Sequence, residues 1–127
     1  PWDVKYRRGG LVDTGFISQF LVLAHAASVP SLLEPRATHA IADAAAAAGI
    51  IASAEAEDLA AAETFWLGLQ SLLRLTGADS APERLTRPSV QSVIAMGLDL
   101  PDLAQVEAAA ADHAAQVMAL YAKLIEN

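Results

Sequence analysis

The chain has 127 residues, room for one domain with a real core but not for two. Its formal net charge is −7, and residues 1–10 hold three cations against one acid, a local +2 that leaves −9 for the rest. Such an acidic body argues against general binding to nucleic acid or anionic lipid, which needs clustered cations, and the lack of cysteine removes disulfides and thiolate metal sites, as suits a cytoplasmic protein.

The chain opens on Pro1 rather than Met, with no signal-peptide pattern after it, which reads as a fragment of a longer protein. Residues 1–10 read as an interdomain junction and 11–127 as a single helical-bundle domain. In the junction, Lys5, Arg7 and Arg8 stand just before Gly9 and Gly10. A first helix is predicted over about 10–28. Val12, Phe16, Phe20, Leu23 and Ala27 form its apolar stripe, widened by Ile17 and Ala24, with Thr14, Ser18 and His25 opposite. Leu21 and Val22 lie beyond the stripe, so burial on more than one side is expected. The apolar run Phe16–Ala27 is interrupted by Ser18, Gln19 and His25 and falls short of the ~20 residues of a membrane span. Asp13 falls inside the apolar arc, where a carboxylate is costly unless paired. Two kinds of partner are open to it. One is the free backbone N–H groups of the first turn; the other is a cation, either Lys5, Arg7 or Arg8 folded back or an arginine of a neighbouring domain.

"SVPSLLEPR" is a turn-rich connection broken by Pro30 and Pro35. The next helix, about Ala37–Ala48, is nearly all alanine and ends at Gly49, which makes it a closely packed spacer. Ser53 is the expected N-cap of a third helix reaching about Leu75, with Glu55, Glu57 and Asp58 placed favourably for its dipole. Leu59, Ala62, Phe65, Trp66, Leu69, Leu72 and Leu73 share one face, so Phe65 and Trp66 read as packing. Glu63, Gln70 and Arg74 edge the other face. "TGADSAPERLTRP" is a loop, followed by a short helix, about Pro88–Met96. The last helix runs from Pro101 to about Ile125 with a seam of Leu103, Val106, Ala110, His113, Val117, Leu120 and Leu124. No segment alternates with period two, so the fold class is all-α, a bundle of about five helices.

The chemistry-bearing residues are sparse. His25, His39 and His113 lack the paired spacing of metal ligands on one helix, and no metal site is expected. His113 reads as a seam histidine hydrogen-bonded to a neighbour. There is no nucleophile elbow, P-loop or dinucleotide fingerprint, and "RRGGL" is weak as a phosphate motif. No D-x-D pair is present to gather Mg²⁺ and a triphosphate, so no catalytic residue is assigned and nucleotidyl transfer by this chain alone is not expected.

The junction itself is recognisable. "DVKYRRGGLVDTGFISQFLVLAHA" resembles the motif D-[IV]-K-x-x-x-G-G-[ILV]-x-D-I-E-F-x-x-Q-[YF]-L-x-L-[RW]-x-A of glutamate–ammonia-ligase adenylyltransferase, the bifunctional glutamine synthetase adenylyltransferase/deadenylylase. In that family each of two nucleotidyltransferase domains is followed by a helical bundle, and the motif marks the passage into the bundle. Asp3, Lys5, Gly9, Gly10, Leu11, Asp13, Phe16, Gln19, Phe20 and Leu23 fit it. The version with an acid at Asp13 resembles the C-terminal, adenylylating half. The match is specific over residues 3–27 and weaker, as a helical pattern, to about Leu75. Two departures stand out. The family's Ile-Glu is Thr14-Gly15 here, which removes an acid one helical turn from Gln19, and the family's Asn and Arg align with Thr38 and Ala40.

The resemblance implies a parent enzyme that transfers AMP from ATP, with Mg²⁺, to a tyrosine of glutamine synthetase and removes it again, under control of PII protein and glutamine. It implies an upstream nucleotidyltransferase domain as partner, with Lys5, Arg7, Arg8, Gly9, Gly10, Asp13 and Gln19 as interdomain or phosphate-facing candidates. The bundle would then position the protein substrate or relay regulation. The rival reading is a non-catalytic helical module that binds a PII-like or synthetase partner. A self-contained helical enzyme fits poorly, because no converging polar cluster can be assembled.

Overall fold

The computed structural model describes residues 2–28 and 37–126. Within them the secondary structure is helical throughout. In chain order come α1 (Leu11–His25), α2 (Thr38–Ala47), α3 (Ser53–Thr76), a 3₁₀ turn (Pro82–Thr86), α4 (Pro88–Gly97), α5 (Leu103–Tyr121) and a π-helical turn (Ala122–Glu126). The all-α bundle of five helices is therefore as expected. The Pro30 and Pro35 connection lies outside the described residues.

α3 is the central helix. It packs against α1, α2, α4 and α5, while α5 also touches α1 and α4. The periodicity of α3 explains this: Leu59, Ala62, Phe65, Trp66, Leu69 and Leu73 recur three and four apart, and all are buried. Val106, Ala110, Val117 and Leu120 of α5 meet that face as the expected seam. α2 brings Ile41, Ala42 and Ala45 into the core, small enough for close approach to α3.

The helix ends are closed by named bonds. α2 ends in a Schellman turn: Gly49 sits at φ +79, its N–H donates to Ala46 O and the Ile50 N–H to Ala45 O. Gly77, at φ +74, follows α3, and the Arg84 guanidinium donates to Thr76 O at 3.1 Å. α5 starts two residues later than expected, because Asp102 rather than Pro101 sets the cap and accepts the Gln105 N–H at 2.9 Å. α3 corrects the expected cap too. Ser53 is already helical, and the Ala52 N–H is held by the Glu55 carboxylate reaching back at 2.8 Å.

The first helix reverses the expected facing. Thr14, Ile17, Ser18 and Leu21 form its buried face, while Val12, Phe16 and Leu23 look outward. The hydroxyls are satisfied in place. Thr14 Oγ1 donates to Gly10 O at 2.7 Å, and Ser18 Oγ donates to Thr38 Oγ1 at 3.0 Å. Small, back-bonded side chains let α1 lie close to α2, and hydropathy alone could not choose between two faces that are both largely apolar.

Candidate functional site

The segment before α1 is folded onto the bundle. Asp3 opens a turn by accepting the Tyr6 N–H at 3.0 Å, and Val4 is buried behind it. The chain then doubles back so that the Leu11 and Val12 N–H groups, the first free donors of α1, reach Val4 O and Lys5 O at 3.0 Å each. The helix start is thus capped by its own backbone, and an outside anion here would meet side chains.

Gly9 and Gly10 make this return possible. Gly9 lies at φ +80, and a Cβ there would fall on the backbone of Ala114 in α5. A Cβ on Gly10 would fall on Val4 O. Both polar atoms of Gly9 are held: its N–H donates to Asp13 Oδ2 at 2.7 Å, and its carbonyl accepts the Trp66 indole N–H at 2.9 Å. Of the two partners open to Asp13, the structure thus shows a backbone N–H, one from the turn before the helix. Trp66 is fully buried, as packing required, and it also has a polar role that sequence reasoning missed. The available signal was chemical: a buried indole N–H needs an acceptor, and a glycine carbonyl with no side chain around it offers an open one.

The cations divide. Lys5 and Arg8 are exposed, with Lys5 Nζ 5.3 Å from the centre of the Tyr6 ring. Arg7 is half-buried, its guanidinium 5.6 Å from the Trp66 ring centre. Gln19 is exposed one turn past Gly15, and an added Cβ on Gly15 would meet nothing within 4 Å. Along the same outward side run Val12, Phe16 and Leu23, at 45%, 50% and 85% exposure. Phe16 leans towards Tyr121 of α5, ring centres 6.0 Å apart, so the stripe continues onto the last helix.

His113 lies on the α5 seam against Phe65, ring centres 4.7 Å apart, but the expected hydrogen bond is missing at Nδ1. That atom is buried with no partner among the described residues. Burial holds the imidazole below its ordinary pKa of 6.5, against the opposing pull of Asp112 and Asp58. At the far end of α5, Lys123 Nζ sits 2.8 Å from Glu55 Oε2, and this bond, aided by the Ala52 N–H, holds the carboxyl below its ordinary range. No group of three His, Asp or Glu side chains is placed to share a metal ion among the described residues. No helix among them is long and apolar enough to cross a membrane. Lys5 and Arg8 are thus exposed ahead of α1, and α1 itself exposes Gln19 and the stripe Val12, Phe16 and Leu23.

The chain matches the family model described as GlnD PII-uridylyltransferase over residues 2–125. It is 36% identical over 124 residues, 98% of its length, to the bifunctional glutamine synthetase adenylyltransferase/adenylyl-removing enzyme of Rhodopseudomonas palustris (strain BisB5). To the enzymes of the same description from Bradyrhizobium diazoefficiens and Xanthobacter autotrophicus it is 34% and 30% identical, each over 99% of its length. The chain spans 12% or 13% of the length of these relatives. No solved structure matches it significantly.

Proposed function

The chain belongs to the GlnD PII-uridylyltransferase family, and from that premise we propose that it is the C-terminal helical domain of a bifunctional glutamine synthetase adenylyltransferase. In this reading the whole enzyme, a cytoplasmic one, moves AMP from ATP to a tyrosine of glutamine synthetase and removes it, under control of PII protein and glutamine. The chemistry belongs to an upstream nucleotidyltransferase domain, where Mg²⁺ would be held with ATP. The described residues of this chain gather no carboxylate cluster that fits the ion. The part this reading gives the chain is to seat that domain and the protein substrate, or to relay regulation.

One observation carries the reading. The element that bears the family motif exposes a large apolar stripe, Val12, Phe16 and Leu23, beside the outward Gln19, and the exposed Lys5 and Arg8 precede it in the chain. A helix that buries Thr14 and Ser18 beside Ile17 and Leu21 while leaving Val12, Phe16 and Leu23 outward has a second apolar face fit to be covered. In the full-length enzyme, Phe16→Asp with Leu23→Asp should cut AMP transfer to glutamine synthetase by about tenfold or more, on the scale of a lost docking anchor. The melting temperature of the 127-residue chain should stay within a few degrees. Full activity of that variant would overturn the assignment of the face. Residues 1–127 alone should transfer no AMP, and detecting transfer would refute the division of labour.

A second reading, a non-catalytic module that binds a PII-like or synthetase partner, is favoured by Gly15, where the family's acid is absent and the space beside the helix is open. Restoring Gly15→Glu in the full-length protein distinguishes the two. A gain in activity or in domain coupling marks the lost acid as part of a working joint, and no change shows that the acid was not important and removes the observation that favours the module.

A further inference from the structure

His113 carries a ring nitrogen that the fold leaves unserved. Its Nδ1 is buried with no hydrogen-bond partner among the described residues, and its ring lies against Phe65, centres 4.7 Å apart. With its proton on Nε2, the neutral ring keeps Nδ1 as a bare lone pair, a modest loss. Charging the ring puts a proton on that same atom, and the buried N–H then lacks an acceptor, which costs more. Two exposed carboxylates favour the charged form, Asp112 on α5 and Asp58 on α3, so a charged ring is drawn off Phe65 towards them. Of the other elements on α5, α4 has no charged side chain, Asp13 of α1 bonds the Gly9 N–H, and Lys123 of the π-helical turn pairs with Glu55.

The contacts of His113 lead to the N-terminal turn. Phe65 meets Trp66 edge-on, ring centres 5.1 Å apart, and the Trp66 indole N–H holds Gly9 O at 2.9 Å. Ala114, next to His113, has its backbone where a Cβ on Gly9 would fall. The Arg7 guanidinium rests 5.6 Å from the Trp66 ring centre. The turn is thus seated on Trp66 and Ala114, the sequence neighbours of the stacked Phe65 and His113. It is also the lightly anchored partner. Val4 is the one buried side chain of residues 2–8, whereas α5 is pinned by Val106, Ala110, Val117 and Leu120. Strain at His113 is relieved where opening costs least, at this turn.

We propose that His113 is a proton-operated latch on the N-terminal turn: charging the ring unseats residues 2–10, with Lys5, Arg7 and Arg8, from α3 and α5 while the bundle stays folded. Burial holds the imidazole below 6.5, so the latch is closed at neutral pH and opens as pH falls. The latch is independent of the role given to the outward stripe of α1.

Hydrogen exchange at the Trp66 indole N–H of the ¹⁵N-labelled chain, followed by NMR from about pH 7.5 to about pH 5, tests it. Corrected for the intrinsic pH dependence of exchange, the rate should rise about fivefold or more as pH falls below 6.5, levelling where the His113 ring itself titrates. The Ile50 amide, bonded to Ala45 O in the turn after α2, should change by less than about twofold. Asp58→Asn, at an exposed position, removes a charge that favours the imidazolium and should move the levelling point to lower pH. His113→Gln should abolish the rise. A flat Trp66 profile, a rise that persists in His113→Gln, or an equal rise at Ile50, which marks loosening of the whole bundle, would each overturn the proposal.

Discussion

Two glycines of the first segment make opposite demands. Gly9 combines φ +80 with a Cβ position blocked by the Ala114 backbone, so Gly9→Ala should destabilise the chain by about 3 kcal/mol, measured by urea denaturation. Gly15 sits mid-helix beside open space, and Gly15→Ala should stabilise by about 0.5–1 kcal/mol in the same assay. Trp66→Phe strands the Gly9 carbonyl, at a cost of about 1–3 kcal/mol, and adds the cost of a cavity where the larger indole was; it should speed hydrogen exchange at the residues before α1. His113 gives the chain a pH signature. Its pKa is depressed by folding, so the unfolded state binds more protons, and stability should rise as pH climbs from the folded value to the ordinary 6.5. Acidification below neutrality should therefore weaken the fold, and His113→Gln should flatten that part of the pH–stability curve. Glu55 acts lower, where the stability from its depressed pKa is lost as pH falls beneath its ordinary 4.5.

At the scale of the helix, α1 shows how far hydropathy can be trusted. An amphipathic rule would improve it by replacing Ser18 with leucine. The structure predicts the reverse: Ser18 is buried against Thr38 of α2, and Ser18→Leu should cost about 1–3 kcal/mol through overpacking, seen as a fall in thermal midpoint. α3 and α5 were legible because each has one strong face, Leu59 to Leu73 and Val106 to Leu120, and few apolar residues compete on the other side. α1 was not, since Val12, Phe16 and Leu23 are as apolar as the Ile17 and Leu21 that are buried. The Ala52 cap escaped notice because alanine carries no capping oxygen; the bond comes from Glu55, three residues on. In the junction, the glycine pair and the cations could be read from the sequence. The Trp66–Gly9 bond could not, because it joins positions 57 apart whose meeting only the packed bundle decides.

For the molecule as a whole, charge is separated by region. Lys5, Arg7 and Arg8 cluster at the start and Arg74, Arg84 and Arg87 at the end of α3 and its loop, leaving the rest of the bundle acidic. Association through the leading basic segment should slow with ionic strength, since steering by such a patch is screened within about 10 Å at 0.1 M salt. The exposed Lys123–Glu55 pair closes the C-terminal turn onto the start of α3, and Lys123→Ala should cost under about 1 kcal/mol. The two tryptophans lie in unlike settings, Trp66 sealed inside and Trp2 half-covered at the mouth of a cleft. Their fluorescence should therefore be a sum of a blue-emitting and a red-emitting component. An acrylamide quencher would dim the second long before the first, so one unlabelled sample reports on the interior and on an outer opening at once.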